Sequence, residues 1–205
     1  MGEFSLNKNP LAAFNFIFLT MQSVFKNTYA TFIAMYEPGV FTYVIVLILY
    51  FPNNSLNIIG KISELHAKYY SVHWNFGHFF EVKVATELSD FIINYNDSKD
   101  RIWSLLVDGN IQGSITIDGS SENRNIAHLR WFITSDRLRG KGAGNYLMEQ
   151  AVAFCKDSGF DKVYLWTFQG LFSARHLYEK FGFEIVEERP GEQWGTTVTE
   201  QRFER

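Results

Sequence analysis

The sequence has a single cysteine, Cys155, among its 205 residues. One cysteine excludes an internal disulfide and a cysteine metal cluster, so we expect a reducing, cytoplasmic location and no bound metal. The formal net charge is only −3, which excludes the broad basic surface that nucleic-acid binding requires. The length fits one domain with a sizeable core plus an extension.

The sequence also lacks an apolar run of the roughly 20 residues that a membrane-spanning helix needs. Residues 39–51 are uncharged and almost wholly apolar but number only 13, and residues 1–56 carry four charges. We therefore divide the chain into an extension, 1–56, and a folded domain, 57–205. Three interpretations of the extension stay open: weak membrane association through 39–51, a packed accessory segment, or a segment without evolved function. A signal peptide at Leu11–Thr20 has little support, because a convincing cleavage site is missing.

Two common phosphate-binding motifs are absent as well. The Walker loop needs Ser or Thr after Gly-Lys, whereas Gly140-Lys141 is followed by Gly142. The dinucleotide fingerprint begun at Gly142 would need glycine at the position of Leu147. What the sequence does contain is the loop 139–144, Arg-Gly-Lys-Gly-Ala-Gly, between a strand-like run (126–133) and an amphipathic helix (145–158). Glycines before a helix let backbone N–H groups approach an anion, so we expect a phosphate cradle here.

The other elements follow from hydrophobic periodicity and turn residues. Helices are expected at 79–95 and 172–181, and a hairpin turn is expected at Asp108-Gly109-Asn110. Strands are expected at 58–63, 101–107, 111–118, 162–168, 183–188 and 196–203, with a polar loop at 119–125. This pattern predicts a mixed α/β (α+β) domain with about seven strands in a central sheet flanked by helices.

Two motifs in order carry a family resemblance. Arg139, Gly142 and Gly144 fill the pattern R-x-x-G-x-G, and residues 174–183 fill A-x-x-L-Y-x-x-x-G-F. Together they resemble the GNAT N-acetyltransferase superfamily and its acyl-CoA N-acyltransferase fold. Shorter phrases such as E-L-H-A-K-Y-Y (64–70) and Y-L-W-T-F (164–168) are similar to the acetyltransferase half of bacterial MarR–GNAT fusion proteins. Residues 1–56 are too few and too uncharged for the winged helix of those fusions, so DNA binding is not carried over.

The resemblance implies acetyl-CoA as cosubstrate and an amine as acceptor, joined by direct attack without a covalent enzyme intermediate. It assigns cosubstrate binding to the strand end and to the loop with the helix start, which comprise Phe132, Ile133, Thr134, Arg139, Gly140, Lys141, Gly142, Ala143, Gly144 and Asn145. Many relatives carry Asn three residues before the motif alanine, where this chain has Leu171, so Thr167, Gln169 or Ser173 would have to replace its polar contact.

The resemblance places Tyr178 as the general acid that protonates the departing thiolate. The strand before the loop has no glutamate, so His128 is the candidate general base on that strand, with Glu81, Glu192 and Glu200 as alternatives. Glu81, Arg130 and Trp131 are candidates for acceptor binding. Two functions stay open: an N-acetyltransferase, and a non-catalytic acyl-CoA sensor. A homodimer is compatible with either.

Overall fold

The computed structural model describes residues 57–119 and 125–205 in full, and two earlier strands as backbone. Its eight strands are β1 Ala30–Met35, β2 Val44–Tyr50, β3 Arg101–Val107, β4 Asn110–Asp118, β5 Ile126–Thr134, β6 Lys162–Phe168, β7 Glu184–Gly191 and β8 Val198–Glu204. Its helices are α1 Ile58–Trp74, α2 His78–Ile93, α3 Ala143–Asp157 and α4 Phe172–Lys180.

All eight strands described join one sheet in the order β1-β2-β3-β4-β5-β6-β8-β7. Neighbouring strands are antiparallel except β5 and β6, which run parallel. A parallel pair requires a crossover connection, and α3 supplies it. The predicted fold class, a mixed sheet flanked by helices, is confirmed.

Each face of the sheet is covered by a pair of helices over its own apolar core. One core holds α3 and α4 side chains, including Leu147 and Tyr178, against Trp103 and Leu165 of the strands. The other holds α1 and α2 side chains against the opposite face, where Ile102 and Trp131 lie. Because consecutive residues of a strand face opposite sides, Ile102 and Trp103 are both almost fully buried, each in a different core.

The strand predicted at residues 58–63 is wrong, because these residues begin helix α1. The buried residues of α1 include Ile58, Ile62 and His66, spaced four residues apart as on one face of a helix. The opposite face carries Glu64, which pairs with Lys61 and Lys68 across one helical turn. A window of six residues is too short to distinguish the two-residue period of a strand from the 3.6-residue period of a helix.

The hairpin between β3 and β4 is confirmed. Asp108 and Gly109 both have positive φ, at 51° and 73°, which is the backbone of a type I′ turn. The strand predicted at 162–168 is confirmed in full, and the helices predicted at 79–95, 145–158 and 172–181 are confirmed with small shifts at their ends.

The apolar run at 39–51 contains β2, which pairs with β3 in the register Leu47 to Leu106. The described residues include no helix with the length and apolarity to cross a bilayer. The run Leu11–Thr20 and most of the predicted loop 119–125 lie outside the described residues. The domain boundary at residue 57 stays a prediction, although β2 extends the same sheet to earlier residues.

Candidate active site

A β-bulge in β5 shapes the site. Ser114 pairs with Ile133 and Thr116 pairs with Arg130, so one residue of β4 faces two residues of β5. Trp131 takes up the extra length with φ of 45°, a value that bulky residues rarely adopt, and its carbonyl accepts a hydrogen bond from Ser114 Oγ at 2.8 Å. As a result, Arg130 and Trp131 both face α2, although successive strand residues normally alternate.

β5 separates from β6 after His128, just before the bulge. The two strands pair only at their starts, from Ile126 opposite Lys162 to His128 opposite Tyr164. Each strand then continues with its other neighbour, β5 with β4 as far as Thr134 and β6 with β8. Backbone N–H and C=O groups on this edge of β5 therefore lack strand partners and are available to an extended ligand with amide groups.

A cavity of about 180 Å³ occupies the opening between the two strands. Its walls come from β5, β6, α1, α2, α4 and the β7–β8 connection, with Phe132, Thr167, Tyr70, Val84, Tyr178 and Trp194 among the lining residues. Tyr70 packs against Phe80 and Phe168, and Trp194 packs against Phe168. Aromatic rings thus form much of the wall on the α1–α2 side.

The glycine-rich loop lies between β5 and α3. Gly140 and Gly142 have φ of 71° and 78°, the left-handed region that glycine enters without steric cost. Gly142 caps α3 without a side-chain hydrogen bond, and the N–H of Tyr146 donates to its carbonyl at 3.0 Å. The N–H groups of residues 143–145 precede that first helical bond, so together with the helix dipole they have the arrangement that suits an anion at a helix start.

Gly144 has a different role from the other two glycines. It lies in the first turn of α3, where an added Cβ would be 3.3 Å from Leu177 and 3.5 Å from Phe132. This glycine therefore allows α3 to pack closely against α4 and β5. The last glycine of the motif thus brings the loop close to the cavity lined by Phe132.

Three cationic side chains lie in the loop or beside it. Arg139 is exposed and pairs with Asp136 at 2.5 Å, and Lys141 is half-buried. Lys180, at the end of α4, donates to Asn145 Oδ1 at 2.5 Å. Sequence reasoning missed Lys180, although a basic residue two positions after the motif tyrosine was visible. The structure brings the predicted loop residues and this additional ammonium group to one end of the β5–β6 opening.

Tyr178 is buried on α4 and lines the cavity. Its ring packs against Phe132 at 6.2 Å and Phe203 at 5.6 Å between centroids. Burial raises the pKa of its phenol well above the ordinary value, so the group stays protonated at neutral pH. A protonated phenol in a cavity can donate a proton or a hydrogen bond.

His128 also lines the cavity, at the last position of β5 that pairs with β6. Its ring lies flat against Tyr164, with 4.2 Å between centroids and 11° between planes. Burial, and secondly the nearby charge of Arg130, lower its pKa to about 3, so the imidazole is neutral at physiological pH.

Arg130 is held by two carboxylates from different elements. It donates to Asp118 on β4 at 3.0 Å and to Glu87 on α2 at 2.5 Å, and its guanidinium lies 4.1 Å from the centroid of the Trp131 ring. Glu87 also pairs with Lys83. The network fixes Arg130 and Trp131 at the cavity wall, and their role in acceptor binding stays a prediction.

The glutamate candidates lie elsewhere. Glu81 is exposed on α2 beside His78 and does not line the cavity, whereas Glu87 does. Glu200 is buried on β8, where it accepts the N–H of Gln193 at 2.9 Å and pairs with Arg189. Glu192 is exposed and accepts from Thr197. These contacts make Glu200 a support of the β7–β8 connection.

Of the residues proposed to replace the missing asparagine, only Thr167 lines the cavity. Gln169 and Ser173 are exposed, and Leu171 precedes α4 without a side-chain cap. His66 and Tyr70 of α1 line the cavity but were not singled out as site residues. The helical spacing from Ile62 to His66 would have found His66 if α1 had been recognised.

Comparisons of the sequence and of the fold with known proteins point to the same family. The family model described as "Acetyltransferase (GNAT) family" matches residues 59–183. A GNAT-family acetyltransferase from Staphylococcus aureus is 20% identical, with a TM-score of 0.61 over 77% of this chain and 98% of that chain. For Ard1 from Thermoplasma volcanium the values are 19% identity, TM-score 0.57, and 77% and 96% coverage. The structure of yncA from Salmonella typhimurium, solved with its cofactor acetyl-CoA, is 12% identical, with a TM-score of 0.58 over 77% of this chain and 92% of that chain. No curated protein matches the chain significantly.

Proposed function

The chain belongs to the GNAT family of acetyltransferases, and from that premise we propose that it transfers an acetyl group from acetyl-CoA to an amine. The observation that carries the proposal is the opening between β5 and β6, whose pairing stops at His128. The anion-binding loop lies at one end of this opening, and the protonated Tyr178 lines its cavity.

The residues of the opening fit the chemical parts of acetyl-CoA. The N–H groups at the start of α3, with Arg139, Lys141 and Lys180 nearby, match a pyrophosphate. The unpaired edge of β5 around Phe132–Thr134 offers backbone donors and acceptors to the amides of the pantetheine arm. When bound, acetyl-CoA supplies the activated acetyl group as a thioester.

Within this proposal, the chain's own residues bring amine and thioester together and manage two protons. Tyr178 donates a proton to the departing thiolate, since its phenol is protonated at neutral pH and lines the cavity. The amine nitrogen must lose a proton as it attacks. Two neutral histidines line the cavity, His128 on β5 and His66 on α1, and either could accept that proton.

A non-catalytic acyl-CoA sensor is the second candidate. It is favoured by Leu171, which leaves the start of α4 without the polar side chain that many relatives have. A sensor would bind acetyl-CoA through the same loop but would not release free CoA in the presence of amines.

The finer assignments are proposals of the same kind. The small cavity favours acetyl over longer acyl groups, and the single, buried cysteine favours the cytoplasm. Kinship with the acetyltransferase half of bacterial MarR–GNAT fusions, a homodimer, and weak membrane association through 39–51 also stay predictions. Arg130 and Trp131 form part of the acceptor wall, and Glu87 takes the place proposed for Glu81.

The test uses the purified full chain, acetyl-CoA and a panel of primary amines, with free thiol release as the readout. Turnover with at least one amine, reduced in Tyr178→Phe but not in Tyr69→Phe, supports the enzyme. Tyr69 is a suitable control because it lies on α1 outside the cavity lining. Saturable acetyl-CoA binding without turnover across the panel would support the sensor.

A further inference from the structure

His66 is a buried, titratable residue of the cavity that the family motifs do not explain. It lies on α1, only 5% exposed, with its ring beside Tyr70 and Phe80. Its Nδ1 is 2.8 Å from the carbonyl oxygen of Ile62, one turn earlier in the helix. A carbonyl can only accept, so in the neutral ring Nδ1 carries the hydrogen and Nε2 carries a lone pair.

This hydrogen bond prepares His66 to take up a proton. It fixes both the tautomer and the ring orientation and leaves Nε2 as the nitrogen that can accept a proton. Burial lowers the pKa of His66 to about 4, which keeps the ring neutral at physiological pH, while the bond to the Ile62 carbonyl works in the opposite direction and supports the protonated form.

The other ionisable groups of the cavity wall are less suited to accepting a proton. Glu87 is the carboxylate among the lining residues, and Lys83 and Arg130 already engage it. His128 lies flat on Tyr164, and the neighbouring Arg130 opposes a second positive charge there. The pKa of His66 is set by burial and by the Ile62 carbonyl, and no nearby cation of the described residues opposes its protonation.

We propose that His66 Nε2 accepts the proton of the attacking amine, an assignment that rests on the acetyltransferase function proposed above. As the bond between amine nitrogen and thioester carbon forms, the nitrogen becomes positive and its proton passes to Nε2. The carbon–sulfur bond then breaks, and the thiolate takes the proton of Tyr178. The imidazolium loses its proton and the phenolate regains one, so the net products are the N-acetyl amine and free CoA.

The test compares three histidine variants of the full chain with the amine found to be the best acceptor. His66→Asn keeps a donor within reach of the Ile62 carbonyl but removes the Nε2 acceptor. His128→Asn tests the competing base, and His73→Asn is the control, since His73 is an exposed histidine of the same helix. We expect His66→Asn to lower kcat about 100-fold. The acetyl-CoA Kd and the Tm should stay near the wild-type values, the control His73→Asn should lose less than about fivefold in kcat, and His128→Asn should lose clearly less kcat than His66→Asn.

Imidazole rescue separates a proton acceptor from a packing residue. In His66→Ala, added imidazole should restore at least about tenfold of the lost kcat in proportion to its concentration. N-methylimidazole, which has a basic ring nitrogen, should also restore activity, whereas pyrrole, which has none, should not. Restoration by pyrrole, which fills space but has no basic lone pair, would assign His66 to packing and overturn the proposal.

A measurement on the wild-type chain makes the proposal independent of variant stability. Long-range ¹⁵N–¹H NMR of the imidazole should show His66 protonated at Nδ1 and unprotonated at Nε2, and amine binding should shift the Nε2 resonance. The opposite tautomer, or a His66→Asn variant as active as wild type while His128→Asn is not, would overturn the assignment to His66 and leave the enzyme intact. A wild-type chain that binds acetyl-CoA but acetylates no amine would overturn both proposals.

Discussion

Lowering the pH from 8 to 5 should destabilise the folded chain by about 4 kcal/mol through His66 and His128, which line the cavity. His66 and His128 have pKa values lowered from 6.5 to about 4 and about 3, mainly by burial. Between pH 6.5 and these values the unfolded chain binds protons that the folded chain does not. The stability that the two neutral histidines contribute is therefore present above pH 6.5 and is lost as the pH falls from 6.5 towards their folded-state pKa values.

The magnitude follows from the linkage relation. At pH 5 a histidine with pKa 6.5 gains about 2 kcal/mol by protonation in the unfolded chain, and almost none is gained in the fold. Two such residues give about 4 kcal/mol, a large share of the 5–15 kcal/mol typical of a domain. Asp100, whose pKa burial raises, acts in the opposite direction and offsets part of this loss.

Urea unfolding at pH 8, 6.5, 5.5 and 5 measures the effect as the free energy of unfolding extrapolated to water. Replacing either histidine by asparagine should remove about half of the pH dependence, whatever it does to stability at pH 8. His73→Asn, on the exposed side of α1, is the control variant. A pH dependence unchanged in both cavity variants would refute the assignment of neutral imidazoles at these two positions.

Three further predictions concern the site and its frame. Tyr178→Phe should lower kcat about 10- to 100-fold with little change in the acetyl-CoA Kd, and an unchanged kcat would remove this residue from the chemistry. Arg130→Met should destabilise the fold by about 3–5 kcal/mol, because the largely buried Asp118 loses an ion-pair partner; chemical unfolding measures this, and a loss below about 1 kcal/mol would show the pair to be dispensable. Gly170→Ala should lower the Tm, because its Cβ would be 2.3 Å from Trp74 at a φ of 110°. It should also raise the KM for the acceptor more than the Kd for acetyl-CoA. A stable variant with wild-type kinetics would contradict this packing.

The sequence was informative where local patterns decide the structure. The loop Arg139–Gly144 and the hairpin at Asp108–Gly109 depend on backbone conformations that glycine or a turn residue must supply, so their residue types reveal them. The strand 162–168 has β-branched and aromatic residues in a short run. Each of these features can be read without knowing what packs against it.

Other parts of the site depend on contacts that no short window contains. The bulge at Trp131 places a bulky residue at positive φ, against its own preference, because the pairing on either side of it imposes that conformation. Arg130 is held by Glu87, 43 residues earlier, and by Asp118. His66 joins the cavity only because residues 58–74 form one helix, which a reading of 58–63 as a strand concealed.

The central claim, that the loop and the β5–β6 opening bind acetyl-CoA, is tested most directly by calorimetric titration of acetyl-CoA into the full chain. The double variant Arg139→Ala, Lys141→Ala should bind at least about tenfold more weakly than wild type, since each charged contact to a phosphate contributes about 1.5–3 kcal/mol. Arg175→Ala, Lys162→Ala removes the same charges from exposed ion pairs elsewhere and should bind as wild type does. Absence of wild-type binding, or equal binding by the loop variant, would contradict the account.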